Sequence, residues 1–326
     1  MANPEDQRTP LEGVIKKSGA PDLLDLLTER LSGSDLTTLL LEVMRRRVSG
    51  RTAADLLRAY QQDRFVAPGP VPFVRLRHAE DALLATLPTD FETTVLAPVV
   101  SLGTHSVLAP VDQNRVISTI RQTEVAADPT NGLALEAALR RRELLTNDPR
   151  SAQRVKLAAS QRVARGQLFE DADAFAHFQL FGLVTAGRDE GSLAFERDTA
   201  AEHIRFAASA LLRAGVEQVR VELTVLPPAE SAPISETVRD ALADLPKTEV
   251  IDKPDRTEAR GYYTSFCFKA RSVGPGGTFE IADGGLVDWT QTLVQSRKER
   301  LFISGLGVER LAMAMDPRFR PTPGGS

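Results

Sequence analysis

The chain has 326 residues, 42% of them hydrophobic, enough for one large domain or two moderate ones with a buried core. Lys and Arg number 40 against 44 Asp and Glu, a net charge of -4 that excludes a global attraction to nucleic acid or anionic membrane and leaves any polyanion to a local patch. The single cysteine, Cys267, excludes an intrachain disulfide framework and a cysteine-cluster metal site, and suits a reducing cytoplasm.

Residues Met1 to Lys17 are polar and charged, without the apolar stretch of a signal peptide. No run of about 18 apolar residues occurs anywhere, so a cytoplasmic protein with no membrane partner is expected. Between residues 20 and 62, Leu23, Leu24 and Leu27, then Leu36, Leu39, Leu40 and Val43, then Leu56, Leu57 and Tyr60 recur at helical spacing. Asp22, Ser34 and Thr52 stand where N-caps belong, so three short helices are predicted. Arg45, Arg46 and Arg47 precede Ser49-Gly50 and suit the negative end of a helix dipole better than a nucleic-acid patch. Val66 to Pro72 holds three prolines and a glycine and breaks all periodicity. The expected organisation is a helical region at 1–68 and a core at 69–326.

Within the core, a helix is predicted at His78–Leu87, then an extended run Phe91–Pro98 that ends at a proline. Residues 104–127 read as short strands and turns, with His105 a lone loop histidine, and Asn131–Leu145 reads as a helix. Val155–Ala159 and Phe178–Ala186 are predicted to pair as a hairpin across the acidic segment Phe169–Asp173. A helix at Thr199–Ala214 stops before Gly215, the alternating run Val219–Val225 makes a half-buried strand, and a polar stretch at 226–258 surrounds one helix at Ile234–Leu245. Tyr262–Ala270, Thr278–Ala282 and Leu301–Ser304 read as strands and Gly307–Met315 as a helix. Strands clustered apart from helices favour an α+β fold with a mostly antiparallel sheet.

Gly305-Leu-Gly-Val-Glu-Arg-Leu311 combines two glycines, an acid and an arginine ahead of an apolar helix, a pattern suited to close ligand approach and to a fixed fork of donors on a phosphate. With this run at the end, a proline-terminated strand near the start and a long-looped hairpin between, the order of elements over residues 73–316 resembles the catalytic core of class II aminoacyl-tRNA synthetases. Phe91–Pro98 resembles motif 1 and Gly305–Leu311 motif 3. Gly261-Tyr262-Tyr263-Thr264 and Gly284-Gly285-Leu-Val-Asp288 are similar to the double-tyrosine and glycine-glycine strands of the histidyl branch.

The resemblance implies site roles. Arg310 would hold the ATP γ-phosphate, with Glu309, Gly305 and Gly307 beside it. In motif 2, matching Gln179-Leu180 puts Arg165 on the α-phosphate arginine, Gln167 in place of the family's acid and His177 on the adenine-stacking aromatic, next to Phe178; Arg162 is the alternative arginine, with Ala164 then replacing the acid. Thr130, Gln179, Tyr262, Tyr263, Gly284 and Gly285 would meet the amino-acid substrate. Glu280, a charge between Phe279 and Ile281, is the candidate Mg²⁺ carboxylate. Were 262–270 a strand, the two tyrosines would point to opposite faces, so at most one would line the pocket. Glu258 stands where the histidyl branch has an arginine, and Arg260 is two residues out of register.

Only residues 316–326 follow the last helix, so no anticodon-binding domain is expected. Glu170, Asp171 and Asp173 would repel a tRNA acceptor end. The expected activity is therefore that of a stand-alone homodimeric ligase that uses ATP and Mg²⁺ to convert an amino acid or related carboxylate to an acyl-adenylate and passes it to a small molecule, carrier protein or enzyme partner. The alternative is a catalytically degenerate paralogue, similar to the regulatory subunit of ATP phosphoribosyltransferase, that keeps only a ligand pocket.

Overall fold

A computed structural model describes residues 9–167, 175–227, 232–257, 260–274 and 277–316. They form two compact units, one of residues 9–63 with 118–123 and one of the rest. The acidic segment 170–173 and Glu258 lie outside the described residues.

Capping chemistry sets the helix ends of the first unit. α1 (Pro10–Ser18), which the periodicity did not reveal, begins in a reciprocal capping box between Thr9 and Glu12 and ends at Gly19, whose φ of 68° breaks the helix. α2 (Leu23–Asp25) runs on into a π-type turn at Leu26–Arg30, followed by α3 (Gly33–Val48) and α4 (Ala53–Gln62). Thr52 caps α4 as expected, in a box with Asp55. The cap of α3 is Ser32 and not Ser34, because the Ser32 hydroxyl accepts from Asp35 N, and Asp22 makes no side-chain cap bond. Arg45, Arg46 and Arg47 fill the last turn of α3, where two of them grip Glu42.

The second unit opens with α5 (Phe73–Leu84), β1 (Glu92–Thr93), β2 (Val99–Ser101), α6 (Thr104–Leu108), β3 (Thr123–Val125) and α7 (Pro129–Asn147). A hairpin of β4 (Val155–Ala164) and β5 (His177–Arg188) follows, then α8 (Ala194–Arg213), β6 (Gln218–Val225), α9 (Ala232–Leu242) and β7 (Thr248–Asp252). The chain continues through β8 (Phe266–Gly274), β9 (Gly277–Val287), α10 (Trp289–Val294), β10 (Glu299–Gly307) and α11 (Val308–Met315).

Eight strands make one sheet in the order β1-β4-β5-β10-β9-β8-β6-β7. Only the edge pairs β1/β4 and β6/β7 are parallel, so the fold is α+β with a mostly antiparallel sheet. Period-two alternation sorts each strand between two cores: on β10, Phe302 and Leu306 pack with α5, α8, α9 and α11, while Leu301 and Ile303 pack with α7 and Trp289. Departures from expectation are local. The run 91–98 supplies only two strand residues; Thr94 N still donates to Ala158 O, but Val95 beyond it points away from the protein. Residues 104–108 are helical, and β7 is an edge strand with too few apolar residues to announce itself.

Two buried polar groups pin the layers. Arg141 of α7 and Glu299 of β10 are both fully buried and form a two-pronged pair at 2.7 and 2.9 Å, with Ser151 O and Gln153 O taking further guanidinium hydrogens. On the other side of the sheet His203 bridges Thr185 Oγ1 and Ser304 Oγ, and burial pushes its pKa down to about 3, so it sits neutral between them.

Candidate functional site

The site begins with a row of residues that pair across neighbouring strands: Lys269 with Asp283, Asp283 with Gly305, Gly305 with Gly182. Paired residues share a face of the sheet. The two glycines do different things. A Cβ on Gly182 would stand 2.8 Å from the Pro129 ring, so this glycine lets the start of α7 close onto the sheet; a Cβ on Gly305 would meet nothing within 4 Å. Above Gly305 the floor is bare, and a cavity of about 410 Å³ opens there.

One wall comes from α6, α7 and the β4–β5 hairpin. Asp128 caps α7 by accepting from Thr130 N and Thr130 Oγ1 with a single oxygen. Its other oxygen lies 3.3 Å from Arg165, whose Nε donates to Ala127 O and whose guanidinium rests 5.1 Å from the Phe178 ring centre. His105 is no loop residue: it is buried on α6, accepts at Nε2 from Ala127 N, and therefore donates from Nδ1 to Asn131 Oδ1 at 2.8 Å. That fixes Asn131 with Nδ2 turned away, a buried donor with no acceptor among the described residues.

The opposite wall holds Tyr262, Tyr263, Arg256 and Asp283. The tyrosines precede β8 in a turn where Gly261 takes a φ of 80°, so strand alternation does not apply and both rings line the cavity, edge to face at 4.9 Å. Here the expectation of opposite faces is corrected. Tyr263 Oη donates to Asp283 Oδ1 at 2.9 Å and Arg256 holds Asp283 Oδ2 at 2.6 Å. Burial raises the Asp283 carboxyl above its usual range, an effect only partly opposed by Arg256, and burial likewise pushes both phenols up.

At the mouth, β10 passes into α11. Glu309 is buried, with its pKa raised by desolvation, and accepts from Gln179 N at 2.7 Å and from Arg162 at 3.2 Å. Arg310 makes one bond, to Glu280 O at 3.3 Å, and has no carboxylate partner among the described residues. The Glu280 side chain lies 2.9 Å from Lys269 Nζ and 3.3 Å from Arg271. No group of three or more His, Cys, Asp or Glu among the described residues is arranged to take a metal. Both cations sit on Oε2 and balance the Glu280 charge, so this carboxylate has no net negative charge to spare for Mg²⁺, and the described residues do not fit that ion.

Of the residues singled out in the sequence, the cavity gathers Arg165, Arg310, Gln167, Phe178, Glu309, Gly305, Gly307, Thr130, Tyr262, Tyr263 and Glu280. Four lie outside its lining. His177 is engaged by Arg162 at Nδ1 and Ala67 O at Nε2, and Gln179 bonds Ser160 and Glu80. Gly284 and Gly285 serve packing, because a Cβ on either would stand 2.5 Å from a backbone oxygen, Ile303 O or Phe266 O. Arg162, the alternative to Arg165, faces His177 and Glu309 and is also outside the lining. Sequence reasoning missed Arg115, Arg256, Lys269 and Asp283. Lys269, charged between Phe268 and Ala270, carried the same signal as Glu280; Arg256 carried none.

No family model and no curated protein matches the chain. Solved structures do. An ATP phosphoribosyltransferase regulatory subunit/histidyl-tRNA synthetase from Bacillus halodurans C superposes with a TM-score of 0.58 at 13% identity, over 76% of this chain and 81% of that one. Apo histidyl-tRNA synthetase from S. aureus gives 0.57 at 15% identity over 77% and 69%. A histidine–tRNA ligase subunit from Alicyclobacillus acidocaldarius gives 0.55 at 14% identity over 77% and 96%. At these identities the likeness is one of fold: the chain has the fold of a class II synthetase catalytic core. Among the described residues no helix is long and apolar enough to cross a membrane.

Proposed function

We propose that the cavity binds ATP beside an amino acid or related carboxylate and joins them as an acyl-adenylate, which is passed to an acceptor other than tRNA, a small molecule or a carrier protein. The observation that carries this reading is Arg310: a guanidinium in the cavity lining, beside a bare glycine floor, with no carboxylate among the described residues to neutralise it. Adenylation needs no nucleophilic side chain, since the substrate carboxylate attacks the α-phosphorus and the protein supplies orientation and positive charge. Arg165 and Arg310 would supply that charge, Phe178 an aromatic face for the base, and Asp128 a partner for a substrate ammonium group. The net charge of -4 argues against a tRNA acceptor.

A second reading rests on specific bonds. Arg165 is tied to Asp128, and His177 is held by Arg162 and Ala67 O, so two groups expected on the nucleotide already have partners. That suits a pocket that binds an amino-acid-like effector without using ATP. Titration calorimetry separates the two. With ATP bound, Arg310→Ala costs on the order of 1.5–3 kcal/mol of affinity, the worth of a hydrogen bond to a charged group, and Arg310→Lys recovers only part of it because the fork is lost. Heat from an amino acid but none from millimolar ATP selects the effector reading.

A further inference from the structure

Among the described residues, every carboxylate that lines the cavity already has a cation. Asp128 lies 3.3 Å from Arg165, Asp283 2.6 Å from Arg256, Glu309 3.2 Å from Arg162, and Glu280 2.9 Å from Lys269. The Glu280 pairing is part of a chain of ion pairs across three strands, in which Arg271 joins Glu222 at 3.0 Å to Glu280 at 3.3 Å and Lys269 stands at the other end. Two acids and two bases make it neutral, and the Lys269 side chain is only 15% exposed, so little water screens the pair. A divalent cation needs oxygen ligands with negative charge to spare, and among the described residues every lining carboxylate has its charge balanced by a cation. Positive charge is in excess instead: Arg115 and Arg310 line the cavity with no ion pair among the described residues.

We propose that this cavity takes a polyphosphate without a divalent cation, with Lys269 standing on Glu280 where a metal would sit and Arg310 and Arg115 supplying the remaining positive charge. The inference rests on the reading that ATP binds here. A free polyphosphate carries more negative charge than its magnesium complex, so cations without partners favour the free form.

The test is calorimetric titration of the whole chain with ATP and, separately, with inorganic tripolyphosphate, each in EDTA and in excess Mg²⁺. Both ligands bind in EDTA, and Mg²⁺ brings no gain in affinity. Lys269→Met weakens binding in EDTA by on the order of tenfold, as loss of a charge-assisted contact should, and added Mg²⁺ does not restore it. Lys269→Glu, which sets a second carboxylate beside Glu280, makes binding depend on Mg²⁺. Wild-type binding that requires Mg²⁺, or that it tightens by roughly tenfold or more, overturns the metal-free site and leaves the ATP reading intact. A Lys269→Met variant with wild-type affinity in EDTA overturns the role of Lys269. No binding in either medium removes the ATP reading and this inference together.

Discussion

A valine at Gly305 separates the two tasks that glycine performs on this sheet. At Gly284 and Gly285 a side chain would strike backbone oxygens of neighbouring strands, so substitution there reports on folding alone. At Gly305 a Cβ meets nothing within 4 Å, and the residue lies in mid-strand, where valine is favoured. Gly305→Val is therefore expected to keep the wild-type melting temperature to within about 2 °C while lowering ligand affinity by on the order of tenfold or more, because the new methyl groups occupy the floor of the site. A variant that melts early, or one that binds ligand as wild type does, would show that the floor does not face the ligand. Glycines are easy to find in the sequence; which of them faces the cavity is not. That depended on the register that sets Gly305 beside Asp283 and Gly182, and cross-strand register is not written in local periodicity.

Between elements, the Arg141–Glu299 pair fastens α7 to β10, the helix and strand that frame the cavity. Removing one partner strands a charge in a fully buried site, so Arg141→Met should cost roughly 3–5 kcal/mol in denaturant unfolding, whereas Arg141→Met with Glu299→Met should recover most of that. A double variant no more stable than the single one would mean that packing, and not the orphaned charge, sets the cost. In the sequence Arg141 is the middle one of three consecutive arginines in the second half of α7; burial against a strand 158 residues away is a tertiary fact that helix periodicity cannot carry. The same contrast runs through the fold. The β4–β5 hairpin, β6, β9, β10 and α11 were legible from alternation and from the glycine-arginine run. Helix α6 was not, because its five residues are too short for a period and it is held by the bonds of His105 to Ala127 N and Asn131, more than twenty residues away. Nor were the tyrosine positions, because one glycine of positive φ turns Tyr262 and Tyr263 out of the strand.

At the scale of the whole molecule, the region of α5, β1 and α6 exposes Phe73, Val95 and Val107 by 73%, 98% and 81%. Isolated exposed apolar residues need no explanation, but Val95 lies in the run 91–98 that resembles motif 1, and a second copy of the chain is expected to cover it together with Val107. Light scattering is expected to give twice the chain mass of 35.5 kDa at micromolar concentration, and Val95→Glu with Val107→Glu to halve it. A wild-type mass of one chain contradicts the dimer.

Whether the cavity performs chemistry is decided by pyrophosphate exchange into ATP across a panel of amino acids and related carboxylates. Exchange is expected to depend on one member of the panel and to fall by at least about a hundredfold in Arg165→Ala, the scale for losing a charge aimed at the reacting phosphate. No exchange with any member, alongside calorimetric binding of an amino acid in the same cavity, would contradict catalysis and leave a ligand-binding protein built on a synthetase fold.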